Sequence, residues 1–347
     1  PLLMRKRMNK GRDPNQHGLP ADILSILQCP SCRLSLSATQ SGLSCTRCGA
    51  LYPSLNGVVR FVQDSTYVEN FGFQWSRFAR TQLDRDGFNQ SEKDFRERTG
   101  FVPEDLVGKL VLDVGCGMGR FAEVATRWGA RVVGVDLSKA AEVAANNLSG
   151  ERAAIFFQAD VFALPFAPES FDYIYSLGVL HHTPDCERAF KVLPRLLKPG
   201  GTIAIWLYSG YNKWYRCSDV YRKLTHRLPS RVLLDLCRAA APLYYVHRGL
   251  VRVPLVGGIL SGMLRYLLPV SLDANSQVRV LDTFDWYSPK YQSKHTYEQV
   301  FRWFESSGLE SLRVLEQTVS IRGSRPKREN QTSRPVEADV FSRAELT

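Results

Sequence analysis

The stretch with the clearest chemical pattern spans residues 110 to 121 and reads LVLDVGCGMGRF. An apolar run carries one acid, Asp113, and three glycines follow at every second position, Gly115, Gly117 and Gly119. Glycine has no Cβ, so this backbone can take positive φ and lets a ligand approach the main chain. The apolar residues after the glycines recur at helical spacing, so the backbone amides at the N-terminus of that helix would point at the ligand. We predict a strand, a tight turn and a helix that form a ligand-binding loop.

Acids also end the next two predicted strands. The run RVVGVD ends at Asp136, 21 residues after Gly115, where a carboxylate can accept hydrogen bonds from both hydroxyls of a ribose. The run AIFFQAD ends at Asp160. The glycine spacing is not the Gly-x-Gly-x-x-Gly of dinucleotide enzymes, and this spacing alone argues against a dehydrogenase.

Strands alternate with helices through this region, which requires a parallel sheet with helices on both faces. Two further motifs follow in order, SFDYIYSLGVLHHTPD at 170–185 and LKPGGTIAIW at 197–206. With them, residues 106–208 closely resemble the class I S-adenosylmethionine-dependent methyltransferases, in particular the type 11 group. The resemblance implies an α/β fold with a Rossmann-like, seven-stranded methyltransferase sheet.

The same resemblance implies roles for individual residues. Asp113 and the glycine loop would hold the methionine end of S-adenosyl-L-methionine, Asp136 its ribose, and Asp160 with the Val161 amide the adenine edge. The full set of predicted cofactor-binding residues is Asp113, Gly115, Cys116, Gly117, Gly119, Asp136, Leu137, Asp160 and Val161.

Two adjacent histidines, His181 and His182, follow the fourth predicted strand. The resemblance places them facing the point where the methyl group leaves, so both are predicted catalytic residues. Neutral imidazoles also serve as hydrogen-bonded wall residues, and this alternative stays open for each of them.

A second pattern consists of two Cys-x-x-Cys pairs. Cys29 and Cys32 are followed, after twelve residues, by Cys45 and Cys48. Four thiolates in this spacing can bind one tetrahedral Zn²⁺. A disulfide or a redox pair would be the alternative, but a cytosolic chain disfavours the first and the absence of a strand-helix context disfavours the second.

The end of this module, residues 48–61, resembles the small zinc-binding activator subunit that partners tRNA and protein methyltransferases. A module this short cannot build a sufficient core, so metal binding is expected to supply folding free energy in a structural role. We expect metal loss to unfold the module and leave cofactor binding largely intact, because no predicted zinc ligand lies within residues 106–208.

Composition, the motifs and the resemblances together divide the 347 residues into seven segments, of which the cap helices and the substrate lid are what the methyltransferase resemblance implies. We predict a disordered basic leader at 1–22, a zinc-binding module at 23–63, N-terminal cap helices at 64–105, the S-adenosylmethionine-binding core at 106–208, a helical insertion or substrate lid at 209–282, completion of the sheet at 283–323, and a disordered tail at 324–347.

The net charge of +11 is unevenly distributed. Residues 1–12 carry +5 and residues 213–270 carry +8, so the remainder is slightly acidic. This argues against nucleic acid over the whole surface. The leader lacks an apolar stretch typical of a signal peptide, and no run reaches the length of a membrane span, which predicts a cytoplasmic protein.

The insertion contains an apolar segment, 250–272, that is too short and too interrupted to span a bilayer. We weigh two interpretations. The segment could lie against a membrane surface or a lipid-linked substrate, attracted through the basic residues around it. Alternatively, it could be the buried core of a helical lid.

These features predict a methyltransferase that moves the sulfonium methyl by in-line displacement, with a histidine as base where the acceptor must lose a proton. The sequence SLGVLHH replaces the Asn/Asp-Pro-Pro-aromatic turn of families that methylate exocyclic amines of bases. A small-molecule acceptor, such as a sugar, polyketide, quinone-like or lipid-linked intermediate, is therefore favoured. The alternatives are a tRNA methyltransferase and a non-catalytic zinc-dependent binding protein.

Overall fold

The architecture comes from a computed structural model that describes residues 19–62, 68–84, 89–151, 153–211 and 216–328. The predicted leader up to residue 18 and the predicted tail from residue 329 lie outside the described residues. Within the described residues, no helix combines the length and apolar character needed to cross a membrane.

One continuous sheet organises the described residues, in the order β1-β2-β3-β4-β7-β6-β5-β8-β9-β11-β10. Strands β4, β7, β6, β5, β8 and β9 run parallel to one another, whereas β1 to β3 at one edge and β11 and β10 at the other pair antiparallel. The strands are β1 (Leu36–Ala38), β2 (Gly42–Cys45), β3 (Leu51–Leu55), β4 (Val58–Arg60), β5 (Leu110–Val114), β6 (Arg131–Asp136), β7 (Ala154–Gln158), β8 (Phe171–Leu177), β9 (Leu197–Trp206), β10 (Glu310–Val314) and β11 (Ser320–Ser324).

Helices cover the faces of this sheet and form the insertion. They are α1 (Ala21–Ile26), α2 (Glu69–Arg77), α3 (Gln90–Thr99), α4 (Pro103–Leu106), α5 (Arg120–Arg127), α6 (Ala140–Asn147), α7 (Cys186–Lys191), α8 (Arg216–Thr225), α9 (Ser230–Ala240), α10 (Leu243–Val251), α11 (Gly257–Leu267), α12 (Ser276–Tyr287) and α13 (Tyr297–Ser306). From β5 the chain proceeds to β6 on one side and later to β8 on the other, so the strand order reverses at β5. Ligands of open α/β sheets bind at such a point.

The described residues form eleven strands: β5 to β11 lie outside the cysteine-containing module, and the module adds four more, β1 to β4, to the edge of their sheet. Strand β4 pairs in parallel with β7 through Val59 and Phe157. The Gln28 amide also donates to the Pro165 carbonyl at 2.8 Å. Apolar residues of the module and of the central sheet form one buried cluster. The module is thus part of the same core rather than a separate unit.

Both predicted disordered ends extend into ordered structure. Helix α1 begins at Ala21, inside the predicted leader, and Asp22 forms an ion pair with Arg131. At the other end, Ser324 belongs to β11, and Arg325 lies 2.7 Å from Glu169. The predicted disorder of residues 21–22 and 324–328 is therefore wrong, because these residues pair with the core.

The insertion is helical from α8 to α12, and α12 continues beyond residue 282. Its inner part is buried with α2, through Leu233, Phe284 and Phe78. The segment 250–272 behaves differently. Its large apolar side chains are mostly exposed between residues 251 and 268, which contradicts the buried-core interpretation of this segment.

Candidate functional site

A cavity of about 270 Å³ lies at the carboxyl ends of β5, β6, β7 and β8, where the strand order reverses. This volume is near the lower end of the ~300–1,000 Å³ typical of small-molecule sites. Helices α2 and α12 contribute the opposite wall, through Trp75 and Asp285 among others. Three sequence-distant parts of the chain therefore form the site.

Gly115 and Gly117 of the predicted glycine loop line this cavity, whereas Gly119 lies outside its lining and caps the start of α5. Gly115, Gly117 and Gly119 all have positive φ, at 81°, 52° and 88°. A Cβ on Gly117 would lie 3.3 Å from the Trp75 ring, which forms part of the cavity wall. A Cβ on Gly115 would lie 2.3 Å from a methyl carbon of Val179. Side chains at these positions would strain the loop and close the space a ligand needs.

Asp136 closes the loop from the adjacent strand. Its Oδ2 accepts the Gly117 amide at 3.0 Å, and its Oδ1 accepts the Ser138 amide at 2.8 Å and the Ser138 hydroxyl at 2.7 Å. Burial raises the pKa of the Asp136 carboxyl, although these hydrogen bonds oppose the rise. A carboxylate has about four acceptor positions, so one on Oδ2 stays open. The second predicted ribose contact would require the Ser138 hydroxyl to turn away.

Leu137, Asp160, Val161 and Cys116 also line the cavity, as the sequence predicted for cofactor-binding residues. Asp160 caps the short 3₁₀ turn Val161–Ala163 by accepting the Phe162 amide at 2.9 Å. This turn presents the Asp160 carboxylate and the Val161 backbone at the end of β7, beside Asp136.

Asp113 has a different environment from the other predicted cofactor residues. It is buried, and it lies opposite Tyr175 in the pairing of β5 with β8 rather than on the cavity wall. Its Oδ2 and the Tyr175 hydroxyl have no hydrogen-bond partner of ordinary geometry in the described part of the chain. Burial and the nearby Asp136 together raise the pKa of this carboxyl to about 8, against the opposing effect of the Tyr175 hydroxyl. Asp113 is therefore mostly protonated at neutral pH.

The two histidines occupy distinct positions. His182 lines the cavity, and its Nδ1 lies 3.1 Å from the Tyr291 carbonyl. A carbonyl only accepts, so Nδ1 carries the hydrogen and Nε2 has a free lone pair. That Nε2 is buried without a partner among the described residues. Burial lowers the pKa of His182, although nearby Asp285 opposes the change.

His181 points away from the cavity, into the core. Its ring stacks on Tyr208 with centroids 3.9 Å apart, and its Nδ1 accepts the Tyr208 amide at 3.4 Å. Burial lowers its pKa well below the ordinary value, and the neighbouring His182 lowers it further. His181 fits the wall-residue alternative, whereas His182 has the geometry of a proton acceptor.

Polar residues that the sequence did not reveal lie opposite the glycine loop. Asn275 caps helix α12, because its side chain accepts the Gln277 backbone amide at 2.9 Å, and the helix carries Asp282 and Asp285 into the cavity. The Tyr208 hydroxyl donates to Asp285 at 2.7 Å. The three-residue spacing of these two acids, which places them on one face of the helix, was the available signal.

The charge state of Asp282 is sensitive to its surroundings. Burial raises the pKa of Asp282 to about 7, the Ser271 hydroxyl opposes the rise, and the neighbouring acids Asp285 and Asp273 reinforce it. Arg120, which also lines the cavity, favours the charged form. This carboxyl can therefore either accept or donate a hydrogen bond near neutral pH.

Gln74 on α2 faces the same end of the cavity. Its Nε2 lies 3.4 Å from Asp285 Oδ1, and because a carboxylate only accepts, this contact orients the amide. Its Oε1 is then left buried without a partner in the described residues. The cavity thus holds two unpaired acceptor atoms, Gln74 Oε1 and His182 Nε2.

The four cysteines of the module come together. The Sγ atoms of Cys29, Cys32, Cys45 and Cys48 all lie within 4.8 Å of one another. Cys29 and Cys48 Sγ are 3.7 Å apart, and Cys32 and Cys48 Sγ are 3.8 Å apart. Tetrahedral ligands at ~2.3 Å from zinc are about 3.8 Å apart, so the donors and their spacing fit this ion.

Residues 112–205 match a family model described as a methyltransferase domain. The chain is 31% identical over 158 residues to phosphoethanolamine N-methyltransferase 2 of Caenorhabditis elegans, covering 43% of this chain and 35% of that protein. It is 40% identical over 100 residues to a ubiquinone biosynthesis O-methyltransferase of Coxiella burnetii, covering 28% of this chain and 43% of that protein.

A solved structure of phosphoethanolamine N-methyltransferase 2 of Haemonchus contortus aligns with a TM-score of 0.40 at 20% identity, over 70% of this chain and 45% of that one. The chain spans less than half the length of the two relatives that it matches in sequence. The span of the family model includes the glycine loop, Asp136, Asp160 and His182.

Proposed function

We propose that this chain is an S-adenosylmethionine-dependent methyltransferase that acts on a small-molecule acceptor. The observation that carries the proposal is one cavity in which the glycine loop, Asp136 and Asp160 lie opposite the unpaired Nε2 of His182. The methyltransferase domain match over residues 112–205 supports it independently. When bound, S-adenosylmethionine supplies an electrophilic methyl group on its sulfonium.

The cofactor-side residues act by positioning. The glycine loop lets the methionine end approach the backbone, Asp136 accepts from a ribose hydroxyl, and Asp160 with Val161 contacts the adenine edge. Trp75 lies over Gly117 and excludes water from this end. Alignment and water exclusion are the main requirements of a displacement in which the leaving group is already activated.

The acceptor class follows from the unpaired atoms. Gln74 Oε1 and His182 Nε2 are both hydrogen-bond acceptors, and buried polar atoms are rarely left unpaired when a site is filled. We therefore propose that the molecule that receives the methyl group donates hydrogen bonds to these two atoms, through an O–H or N–H group. This agrees with the N- and O-methyltransferases among the similar proteins. A sugar, polyketide, quinone-like or lipid-linked hydroxyl compound fits this description.

His182 is the proposed general base for such an acceptor. Its free Nε2 can take the proton that the acceptor loses, and its lowered pKa keeps it neutral at pH 7. Asp285 lies close enough to favour the imidazolium that results. His182→Ala should lower turnover by about 10²–10⁴-fold, while binding of S-adenosylhomocysteine should change little.

We also propose one structural Zn²⁺ bound by Cys29, Cys32, Cys45 and Cys48. The four sulfurs lie within 4.8 Å of one another, which is the arrangement that one tetrahedral ion requires. The cluster lies beside the outer strands β1 to β3, mostly in the turns that connect to them, and is not part of the cavity lining.

Calorimetric titration with S-adenosylmethionine and with NAD tests the proposed function. We expect binding of the first and none of the second. Asp136→Ala should weaken binding, because charge-assisted hydrogen bonds contribute roughly 1.5–3 kcal/mol each. Asp185→Ala is the matched control, since that acid caps α7 outside the cavity. Binding of NAD alone, or equal affinity in the Asp136 and Asp185 variants, would contradict the assignment.

A further inference from the structure

The helical hairpin formed by α10, residues 252–256 and α11 exposes an unusual amount of apolar surface. Leu255 is 100% exposed, Ile259 66% and Val251 57%. Further exposed apolar side chains on this hairpin are Tyr245, Val246, Val253, Val256, Leu260, Met263 and Leu267. We call these ten residues the hairpin surface. Isolated exposed apolar residues are ordinary, whereas a contiguous group on one element marks an interaction site.

The hairpin surface has a defined shape. Ile259, Met263 and Leu267 follow at four-residue intervals on α11 and so lie along one helix face. The two helices are joined by the Ser261 hydroxyl and His247 Nδ1, 2.5 Å apart. A Cβ on Gly257 would lie 2.0 Å from the Leu250 carbonyl oxygen, which shows how closely the turn packs against α10. The apolar tip is therefore presented by packed helices.

The charge around this surface has one sign. Between Asp235 and Asp273 the chain contains no acidic residue and four arginines, Arg238, Arg248, Arg252 and Arg265. Arg238 pairs with Asp235 at 3.0 Å, and Arg248 donates to the Tyr244 hydroxyl at 3.0 Å. Arg252 and Arg265 are exposed and form no ion pair within the part of the chain that the structure describes. Two free cations thus flank the apolar tip.

The apolar tip and the arginines beside it together indicate one kind of binding partner. Helices α10 and α11 have nine and eleven residues, too few for the about 20 that a membrane-spanning helix needs. A second copy of the chain would bring the same arginines together with no acid between them. A bilayer with anionic headgroups satisfies both features, because apolar side chains enter the acyl boundary while arginines contact the headgroups.

We propose that the α10–α11 hairpin docks on the surface of an anionic membrane, with Leu255 at its deepest point. The inference is independent of methyl transfer and goes beyond the proposed function. The hairpin continues directly into the cavity wall, since the Tyr287 hydroxyl donates to the Pro269 carbonyl at 2.7 Å and the Ser271 hydroxyl donates to Asp282 at 3.1 Å. Docking would therefore bring the acceptor side of the cavity near the membrane.

Co-sedimentation of the full chain with vesicles tests this proposal. Vesicles of phosphatidylcholine with phosphatidylglycerol should bind the protein at low salt, and vesicles of phosphatidylcholine alone should bind it much less. Leu255→Asp should reduce binding at least tenfold. Arg252→Glu and Arg265→Glu should each reduce it at least about fivefold, because one basic residue near an anionic surface contributes ~1 kcal/mol. Added salt should weaken binding of the native chain.

Matched controls come from exposed residues elsewhere. Leu51→Asp on β3 and Arg313→Glu on β10 change the same residue types outside the hairpin and should leave vesicle binding within twofold. Leu255→Trp adds a direct readout, since its fluorescence should shift to the blue on binding and be quenched by brominated lipid. Melting temperatures of all variants establish that they fold.

Three outcomes would overturn the proposal. The first is no binding to anionic vesicles by the folded native chain. The second is binding that Leu255→Asp leaves unchanged, with no blue shift in the Leu255→Trp variant. The third is a dimer in sedimentation velocity that Leu255→Asp dissociates, without any vesicle binding, which would assign the hairpin surface to a second copy of this chain.

Discussion

His181 and His182 are adjacent in sequence, yet the contacts of their ring nitrogens separate their chemistry. His182 donates from Nδ1 to a carbonyl and turns a bare Nε2 toward the cavity. His181 accepts the Tyr208 amide and stacks on the Tyr208 ring. The difference arises because the short 3₁₀ turn Leu180–His182 places successive side chains in different directions. Proton transfer is therefore proposed for His182 alone.

The buried acid Asp113 leads to a prediction about pH. Its folded-state pKa of about 8 lies above the ordinary value of 3.8, so its contribution favours folding below about pH 4 and is lost as the pH rises toward 8. Asp113→Asn keeps the shape and removes the charge. The melting temperature of this variant relative to the native chain should increase between pH 5 and pH 8.5.

Thermal unfolding followed by circular dichroism at several pH values measures this effect. Asp235→Asn, which changes an exposed acid on α9, is the control and should give a constant difference. If the Asp113→Asn difference is also constant with pH, or decreases as the pH rises, the buried carboxyl has a partner that keeps its pKa low.

Residue patterns predicted the cofactor side of the cavity better than the acceptor side. The glycine loop, Asp136 and Asp160 lie at or just after the ends of strands, and local sequence is enough to predict where a strand ends. Gln74, Asp282 and Asp285 lie on helices far apart in the chain, and they meet only because α2 and α12 pack across the sheet edge. No local pattern encodes that meeting, so these three residues were not predicted, whereas His182 on the same side of the cavity was.

At the scale of elements, the cysteine-containing module is joined to the sheet more closely than its sequence suggested. Its two Cys-x-x-Cys pairs predicted a cluster that the structure brings together. The parallel pairing of β4 with β7 could not be predicted, because a three-residue strand has no pattern that selects a partner about 100 residues away. Arg60 on β4 also forms an ion pair with Glu142 on α6.

This attachment changes the expected result of metal loss. Cys45→Ser should remove the proposed zinc and loosen β1 to β4, and the pairing of β4 with β7 should then weaken as well. Because β7 leads into Asp160, affinity for S-adenosylhomocysteine should fall several-fold, contrary to the expectation of an independent module. Cys217→Ser, outside the cluster, is the matched control.

Elemental analysis and calorimetry together check this prediction. The native chain should contain one zinc per protein when purified without chelator, and the Cys45→Ser variant should contain less than one. Absence of zinc from the native chain would contradict the metal proposal. Zinc loss with full ligand affinity would instead show that β4 does not transmit the change to the site.

At the scale of the whole molecule, the cavity is a joint product of the sheet, the N-terminal helix α2 and the insertion. Asn70 on α2 donates to the Ser288 carbonyl at 2.9 Å and accepts from the Ser230 hydroxyl, which ties α2 to α12 and α9. Helical spacing predicted the insertion helices. It could not predict that the apolar residues of the hairpin surface would point outward, because periodicity shows that a face is apolar but not what covers it.

Because three parts of the chain form the cavity, we predict that ligand binding slows amide hydrogen exchange in residues beyond the glycine loop. A ligand that binds only the folded state stabilises it by about 2.7 kcal/mol at one hundred times its dissociation constant. Here the protection should appear as slower amide hydrogen exchange in α2 and α12 as well as in residues 115–119, because all three form the cavity wall. The α10–α11 hairpin, which does not line the cavity, serves as the internal control and should exchange at an unchanged rate. Exchange measured by mass spectrometry with and without S-adenosylhomocysteine tests this. Slower exchange confined to residues 110–163 would mean that α2 and α12 do not close on the ligand, and Asn70→Ala should then have no effect on affinity.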